Sequence, residues 1–510
     1  MANGRVEKVL IVGGGTAGWM TASVLLQILG RGFPIQVIES DEISTVGVGE
    51  ATIPSIQKFN LLCGIGEDEF VRRTQATFKL GIQFKNWGAL GDAYLHSFGV
   101  IGKDMGLVDF YHYWLKMHQA GEAAPIDAYS LNAMASAANK FTRAPPEAAQ
   151  QKSPLALMAH AFHFDAGLYA NFLKVNCEKY GVRRTEGKIV SVQRHPETGF
   201  ITSVTLESGE VHAADLFIDC SGFRGLLIEQ TLETGYDDWR YYLPCDRALA
   251  VPCTSVSPLV PYTRSTAHAA GWQWRIPLQS RIGNGHVYCS EFMSQDEATS
   301  ILLGNLDGEA LAEPRLIRFV TGKRKKFWNK NVVAIGLAAG FIEPLESTSI
   351  HLIQSAILRL VQLFPNRAFA EADIDEYNRQ TATEFEQVRD FITLHYHLNR
   401  REDSAFWRHC RNMEIPPTLA AKMSLFRANG RIFRSNNELF SEAGWLQVML
   451  GQGLRPTGYD PLVDNLPKDE ITKMLANVQD VVRQLVARMP GHEAFIAKNC
   501  KAEPMAPGRR

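Results

Sequence analysis

Cysteine is scarce in this chain and never closely spaced: eight occur in 510 residues, with no CxxC pair among them. That excludes a disulfide framework of the kind that staples small secreted domains, and a zinc cluster built on paired thiolates. Long apolar runs are missing as well. The opening MANGRVEKVLIVGGG has only VLIV before glycines intervene, too short for a signal-peptide core, and no stretch reaches the length needed to span a bilayer. A strong charge of either sign is also lacking, since 53 basic and 54 acidic residues leave a net charge of -1. No overall field therefore attracts nucleic acid or an anionic membrane. The pairs His160/His163 and His395/His397 have no third ligand at a telling spacing, so no metal is expected. Internal repeats are absent. A cytoplasmic protein is expected, whose partner is a small molecule or another protein; a monomer or a homodimer is expected without any composition signal to choose between them.

What is present begins at the N-terminus. A strand over Lys8–Val12 is followed by a glycine turn, a helix with Val24, Leu25, Ile28 and Leu29 on one face, and a second strand, IQVIES, at 35–40. Gly13, Gly15 and Gly18 form GxGxxG at the mouth of that helix, with Thr16 and Ala17 between. Glycines permit a tight turn and close approach of a pyrophosphate to the free N–H groups of the helix start. Glu39, about twenty residues on, suits a ribose hydroxyl. The constellation points to a dinucleotide. A second segment, GVGEAT at 47–52, lacks the third glycine.

Farther along, KFTRAPPEAAQQKSP at 140–154 reads as an exposed loop. KIVSVQR, FITSVTL and DLFIDCSG read as strands, and WQWRIPLQS, IGNG, HVYCSEF as a hairpin turning at IGNG. From about residue 346 the pattern turns helical, with Ile350, Ile353, Ile357, Leu360 and Val361 in one stripe, and with further helices over 372–400 and 470–490. The final KAEPMAPGRR is expected to fray.

Three strings carry chemistry. In TFKLGIQFKNW (77–87), Phe78, Leu80, Ile82 and Phe84 alternate as in a half-buried strand, which puts Lys79 on the opposite face beside Gly81, a position where another backbone or a ligand comes close. Lys79 is then either solvated or facing something. EPLESTSI (343–350) sets Glu346, Ser347, Thr348 and Ser349 at a helix start, as caps or as an anion site with a general base. GWQWRIP (271–277) places Trp272, Trp274 and Ile276 on one strand face, where packing is the ordinary role.

NVVAIGLAAGF (331–341) resembles the second flavin-contacting segment of aromatic hydroxylases and related FAD folds, although Leu337 stands where many of them carry an acid. Together with GGGTAG, GVGEATIP, FKLGI, AFHFDAGLYANFL, FIDCSGFRGLLI and EPLESTSIHL, the WxWxIP string resembles the flavin-dependent tryptophan halogenase family over about residues 8–460. The resemblance implies an α/β fold: an FAD-binding, Rossmann-like module of the aromatic-hydroxylase type with mixed sheet (1–375, with interleaved substrate-site segments) and a mostly helical substrate-covering module (376–510). It implies that reduced FAD, supplied by a separate NAD(P)H-dependent flavin reductase, reacts with dioxygen and chloride or bromide to make hypohalous acid. Lys79 then carries the halogen or hydrogen-bonds the acid. Glu346 takes the ring proton, with Ser347 near the lysine and halide held at Thr348 and Ser349. By the same resemblance Gly13, Gly15, Thr16, Ala17, Gly18, Glu39, Ala51, Val190 and Leu337 contact FAD, and His96, Phe98 and Trp445 contact substrate. Free-tryptophan halogenases carry a tyrosine pair where this chain has FSEAGWLQVMLGQG (440–453), so indole or an indole derivative is the expected substrate. The competing readings are an FAD-dependent aromatic monooxygenase and a noncatalytic flavin-binding redox protein.

Overall fold

The computed structural model describes residues 4–42, 49–104, 106–145, 147–435 and 437–503. The Gly47–Val48 start of GVGEATIP and residues 504–510 of the tail therefore lie outside the described residues. The chain forms two compact units, each assembled from three stretches: Met1–Gln75, Phe164–Arg240 and Arg318–Glu386 make one, and Ala76–His163, Tyr241–Ile317 and Gln387–Arg510 the other.

The first unit is built on a six-stranded sheet ordered Trp328–Asn329, Val332–Ala334, Leu216–Asp219, Val9–Val12, Ile35–Glu39, Arg183–Glu186. All neighbours pair in parallel except the Trp328–Asn329 edge. Val9–Val12 and Leu216–Asp219 are wholly buried, as parallel strands covered on both faces must be. The helix Thr16–Leu29 returns across this sheet. Its buried face runs from Gly18 to Leu26, while Ile28, counted in the apolar face from sequence, is half exposed. KIVSVQR and FITSVTL form an antiparallel hairpin, whereas DLFID leaves that pattern and pairs in parallel with the first strand.

The second unit holds a seven-stranded sheet in which Gly271–Pro277 lies between Arg281–Tyr288 and Thr263–His268, followed outward by Gly81–Lys85 and Ala93–Ser97. The hairpin does not turn at IGNG. The chain reverses at Leu278–Ser280, where the Leu278 N–H reaches the Arg281 carbonyl at 2.9 Å, and Gly283 and Gly285 lie inside the returning strand opposite Ile276 and Trp274. The glycines serve packing: a Cβ on Gly285 would sit 2.0 Å from the Trp274 ring. Helices Glu371–His397 and Lys468–Arg488 occupy most of the stretches expected to be helical, 372–400 and 470–490, and each ends two to three residues earlier than expected.

Residues 140–154 are not simply an exposed loop. Phe141 is fully buried and stacks on Phe78, ring centroids 4.1 Å apart. All eight cysteines are free thiols, and among the described residues no helix is long and apolar enough to cross a membrane.

Candidate functional site

In the first unit the glycine turn is shaped by contacts a side chain would destroy. Gly13 has φ +106, and a Cβ there would lie 2.3 Å from the Cys220 carbonyl oxygen; one on Gly18 would lie 1.9 Å from the Gly13 oxygen. Gly15 begins the helix with no side-chain cap and no acid in the first turn. The amides of Gly15, Thr16 and Ala17 thus keep their donors for an anion at a partly open edge. That is the donor set a pyrophosphate needs, so the residues present fit FAD. Leu337 sits in the short turn Gly336–Ala338, and a Cβ on Gly336 would come 2.9 Å from Ala17, so the two glycine segments meet. Ala51 is buried, while Val190 is 61% exposed on its strand.

Glu39 lies beneath this turn, so close that a Cβ on Gly14 would overlap its carboxylate. It is not free: it accepts from Trp19 Nε1 at 3.3 Å, Lys174 Nζ at 3.0 Å and Arg184 Nε at 2.5 Å. Gly14, Lys174 and Arg184 are groups that motif spacing missed. Only the parallel register of Ile35–Glu39 on Arg183–Glu186 brings Arg184 there, and a linear sequence holds no signal for it.

The same unit carries the ESTS string. After the turn Pro344–Glu346, Ser347 is forced into the left-handed region at φ +60, and Thr348 opens the helix Ser349–Gln362. Glu346, Ser347 and Thr348 are almost completely buried. A non-glycine residue held left-handed costs free energy that the surroundings must offset, a condition that gathers at functional sites. The Thr348 hydroxyl is buried with no hydrogen-bond partner among the described residues, and the helix has neither a side-chain cap nor an acid in its first turn. Unpaired donors at a helix start suit a small anion, which is what a halide is. Ile350, Ile353, Ile357 and Leu360 bury the helix stripe, and Val361 is half-buried.

In the second unit Lys79 is fully buried. The alternating stretch is two strands, not one half-buried strand. Thr77–Lys79 pairs antiparallel with Ala161–His163, and after a break at Leu80, Gly81–Lys85 joins the large sheet. Every side chain from Thr77 to Ile82 is buried, because the segment runs between two sheets and has no wet face. A Cβ on Gly81 would stand 2.5 Å from the His96 oxygen, the close backbone approach that position requires. Lys79 Nζ lies 5.3 Å from the Phe98 ring centroid, a cation over an aromatic face. His163, opposite Thr77 on the paired strand, receives Thr263 Oγ1 at Nε2 (3.0 Å) and donates from Nδ1 to Thr77 Oγ1 (2.9 Å), whose own proton goes to the Pro277 carbonyl. Burial first, then the charge of Lys79, holds this imidazole well below its ordinary pKa and so neutral.

His96 packs its ring near Phe391 and Phe440, centroids 5.6 and 6.4 Å away. Trp445 is fully buried, donates from Nε1 to Glu438 at 2.8 Å, and has Lys422 over its face at 5.0 Å, so its ring and its polar atom are both engaged within the protein. His395 hydrogen-bonds Tyr94 and stacks on Phe84 at 4.5 Å. Among the described residues no group of three side chains could hold a metal ion.

The tryptophan halogenase family model matches residues 8–468. The chain belongs to this family. It is a flavin-dependent halogenase, an enzyme whose cofactor is FAD and whose co-substrate is a halide. The halogenase is 34% identical to the tryptophan 7-halogenase RebH of Lentzea aerocolonigenes over 97% of its own length and 99% of the relative's. Among solved structures it is similar to Xcc4156, a flavin-dependent halogenase from Xanthomonas campestris (TM-score 0.95, 48% identity, 98% of this chain and 100% of that one). It is also similar to BrvH, a flavin-dependent halogenase from Brevundimonas sp. BAL3 (TM-score 0.92, 47% identity, 97% and 99%). The whole-length match does not favour the monooxygenase or noncatalytic readings.

Proposed function

We propose that the enzyme halogenates indole or an indole derivative, with free tryptophan the poorer substrate, and that Lys79 directs the halogen. The observation that carries this reading is the fully enclosed Lys79 amine over the Phe98 ring. A lysine taken out of water costs folding free energy and is kept where its amine has chemistry to do. When bound and reduced, FAD supplies the electrons with which dioxygen converts halide, chloride or bromide, to hypohalous acid. A separate NAD(P)H-dependent flavin reductase, meeting the enzyme in the cytoplasm by diffusion, provides the reduced FAD.

The chain's own groups do the rest. Amides of Gly15, Thr16 and Ala17 hold the pyrophosphate over the turn that Gly13 and Gly18 shape, with Glu39 toward the ribose and Ala51, Val190 and Leu337 along the cofactor. Thr348 and Ser349 hold the halide, the buried Thr348 hydroxyl having no hydrogen-bond partner among the described residues. Lys79 holds the hypohalous acid by a hydrogen bond or carries its halogen on nitrogen. Where the acid is hydrogen-bonded, the aromatic carbon forms its bond to halogen as the halogen–oxygen bond breaks, and the leaving hydroxide takes a proton from the Lys79 ammonium to depart as water. Where Lys79 carries the halogen, water departs as the nitrogen–halogen bond forms, and that bond breaks as the ring takes the halogen, the nitrogen then taking up a proton. Glu346 balances the cationic ring and accepts its proton, with Ser347 beside it in sequence fixing the turn. His96 and Phe98 orient the ring.

The relative RebH is a tryptophan halogenase by name. Here, however, residues 440–453 contain no tyrosine to grip an amino acid's charged ends, and Trp445 is already engaged by Glu438. A tryptophan carboxylate entering without partners loses binding free energy. The test supplies reductase, FAD, NADH and bromide with a panel of indole, substituted indoles and tryptophan, and reads brominated product by mass spectrometry. Higher kcat/KM for indole is expected. Higher kcat/KM for tryptophan would overturn the substrate assignment, and no brominated product from any member would overturn the reading as a whole.

A further inference from the structure

More than four hundred residues separate Lys79 from the C-terminal helix His492–Asn499, which lies beyond the stretch matched by the family model. Yet this helix touches the Lys79 strand at its backbone. One edge of Thr77–Lys79 is paired with Ala161–His163, and on an antiparallel strand the alternate N–H groups point the other way. The Leu80 N–H finds the Pro261 carbonyl at 2.7 Å. The Phe78 N–H, next to Lys79 in the chain, donates to His492 Nε2 at 3.1 Å. His492 Nδ1 in turn donates to the Leu259 carbonyl at 2.9 Å. These two bonds define one neutral tautomer, with the proton on Nδ1 and the lone pair of Nε2 on the strand. The imidazole is 1% exposed, and burial lowers its pKa to about 4, so the tautomer persists across ordinary pH.

The surroundings hold the ring in turn. The His492 N–H donates to the Asn139 carbonyl at 2.8 Å, and Phe495 one turn later packs edge-on against Phe78 and Phe141 at 5.5 and 4.9 Å. Just before the strand, the Ala76 carbonyl accepts from Gln279 Nε2 at 2.7 Å, whose Oε1 accepts from the Ala502 N–H at 2.8 Å. Without an acceptor at His492, the Phe78 amide would be buried and unpaired, a cost relieved by moving the strand.

We propose that His492 is a positioning residue for halogen transfer: its Nε2 lone pair fixes the backbone from which Lys79 projects, so that the amine meets the halogen rather than letting the oxidant escape. The inference rests on the assignment of Lys79 as the halogen-directing group. Its signature is coupling, meaning product formed per flavin oxidised.

The informative variants are His492→Asn, whose amide nitrogen can occupy the Nδ1 place but which has nothing to reach the Phe78 N–H, and His492→Gln, whose amide oxygen can reach the Nε2 place. In folded, FAD-binding protein, His492→Asn is expected to lower coupling by on the order of tenfold and to speed deuterium exchange at the Phe78 amide, because a buried donor left unpaired keeps its whole desolvation penalty and the strand moves to relieve it. His492→Gln is expected to restore both. Wild-type coupling in His492→Asn with a fast-exchanging Phe78 amide would overturn the proposal, as would low coupling in both variants with that amide still protected. Lys79→Ala run beside them separates the two assignments: if it still yields product at the wild-type level, the reading of Lys79 has failed, whereas loss of product there with full coupling in His492→Asn sinks the His492 inference alone.

Discussion

In the unit that carries the glycine turn, the groups suited to FAD arrive in one contiguous piece. Gly13–Gly18 shape the turn, the helix starts there with no side-chain cap, and Glu39 follows at the end of the next strand. In the unit that carries Lys79, one short strand is held by elements from everywhere: His163 opposite Thr77, Phe98 beyond the break, Pro261 and Gln279 from the large sheet's connections, and His492 from the far end of the chain. Binding a pyrophosphate needs backbone donors, which a local turn provides. Enclosing an amine away from water needs walls on all sides, and walls come from long-range packing.

The sharpest way to break this contrast is Lys79→Ala. FAD binding and flavin oxidation should continue, since they draw on the other unit, while halogenated product falls by about a thousandfold or more, the upper range for loss of one preorganised catalytic donor. Spectral flavin oxidation beside product mass reads the two steps apart. Next comes Glu346→Gln, which keeps the side chain's shape and removes its basicity. Product formation should drop by about a hundredfold, the low end of a general base's contribution, with flavin oxidation again retained. A rate within a few-fold of wild type would move proton removal from Glu346 to water.

The contrast also explains what a linear reading could reach. The βαβ unit, the glycine turn and the long helices were legible because each declares itself within about thirty residues. The burial of Lys79 was not. Alternation of Phe78, Leu80, Ile82 and Phe84 is the same whether the other face meets water or a second layer, and here Thr77 and Lys79 meet that layer. The hairpin turn was misplaced at IGNG for a related reason: glycine marks turns and also marks places where a large ring lies on a strand, and Trp274 lies on Gly285. Arg184, Lys174 and His492 had no local signature at all, because each reaches its target through sheet register or tertiary packing.

Adding one carbon to each unit sharpens the comparison at smaller cost. Gly14→Ala must push aside the Glu39 carboxylate, and Gly285→Ala must push aside the Trp274 ring or the Leu249 carbonyl. Overpacking of this kind costs about 1–3 kcal/mol. The readouts should differ: Gly14→Ala weakens FAD binding by about tenfold and leaves coupling intact, while Gly285→Ala leaves FAD binding intact and lowers coupling. Titration of FAD and measurement of product per flavin oxidised decide it, and the same deficit in both variants would show that the two functions are not separable in this way.

The smallest effect concerns Glu50, in the short strand Gly49–Ala51 of the unit that carries the glycine turn. Burial raises its carboxyl from the usual range to about 7. A carboxyl whose pKa is higher in the folded than in the unfolded protein favours folding while it is protonated. Between about pH 4.5 and 7 the folded state therefore binds more protons than the unfolded one, and stability from this group declines as pH rises through that window. Glu50→Gln keeps the shape with no charge to desolvate, so its gain over wild type should be near zero at pH 5 and should grow to a Tm increase on the order of a few degrees near pH 8. Asp127, in the other unit, is raised to about 6 by the same cause, so Asp127→Asn should show a smaller gain that is complete at lower pH. Thermal melts of both variants across pH give each unit its own titration. A Glu50→Gln melting curve parallel to wild type at every pH would mean that the carboxyl is ionised and solvated in the fold, and that its burial imposes no cost.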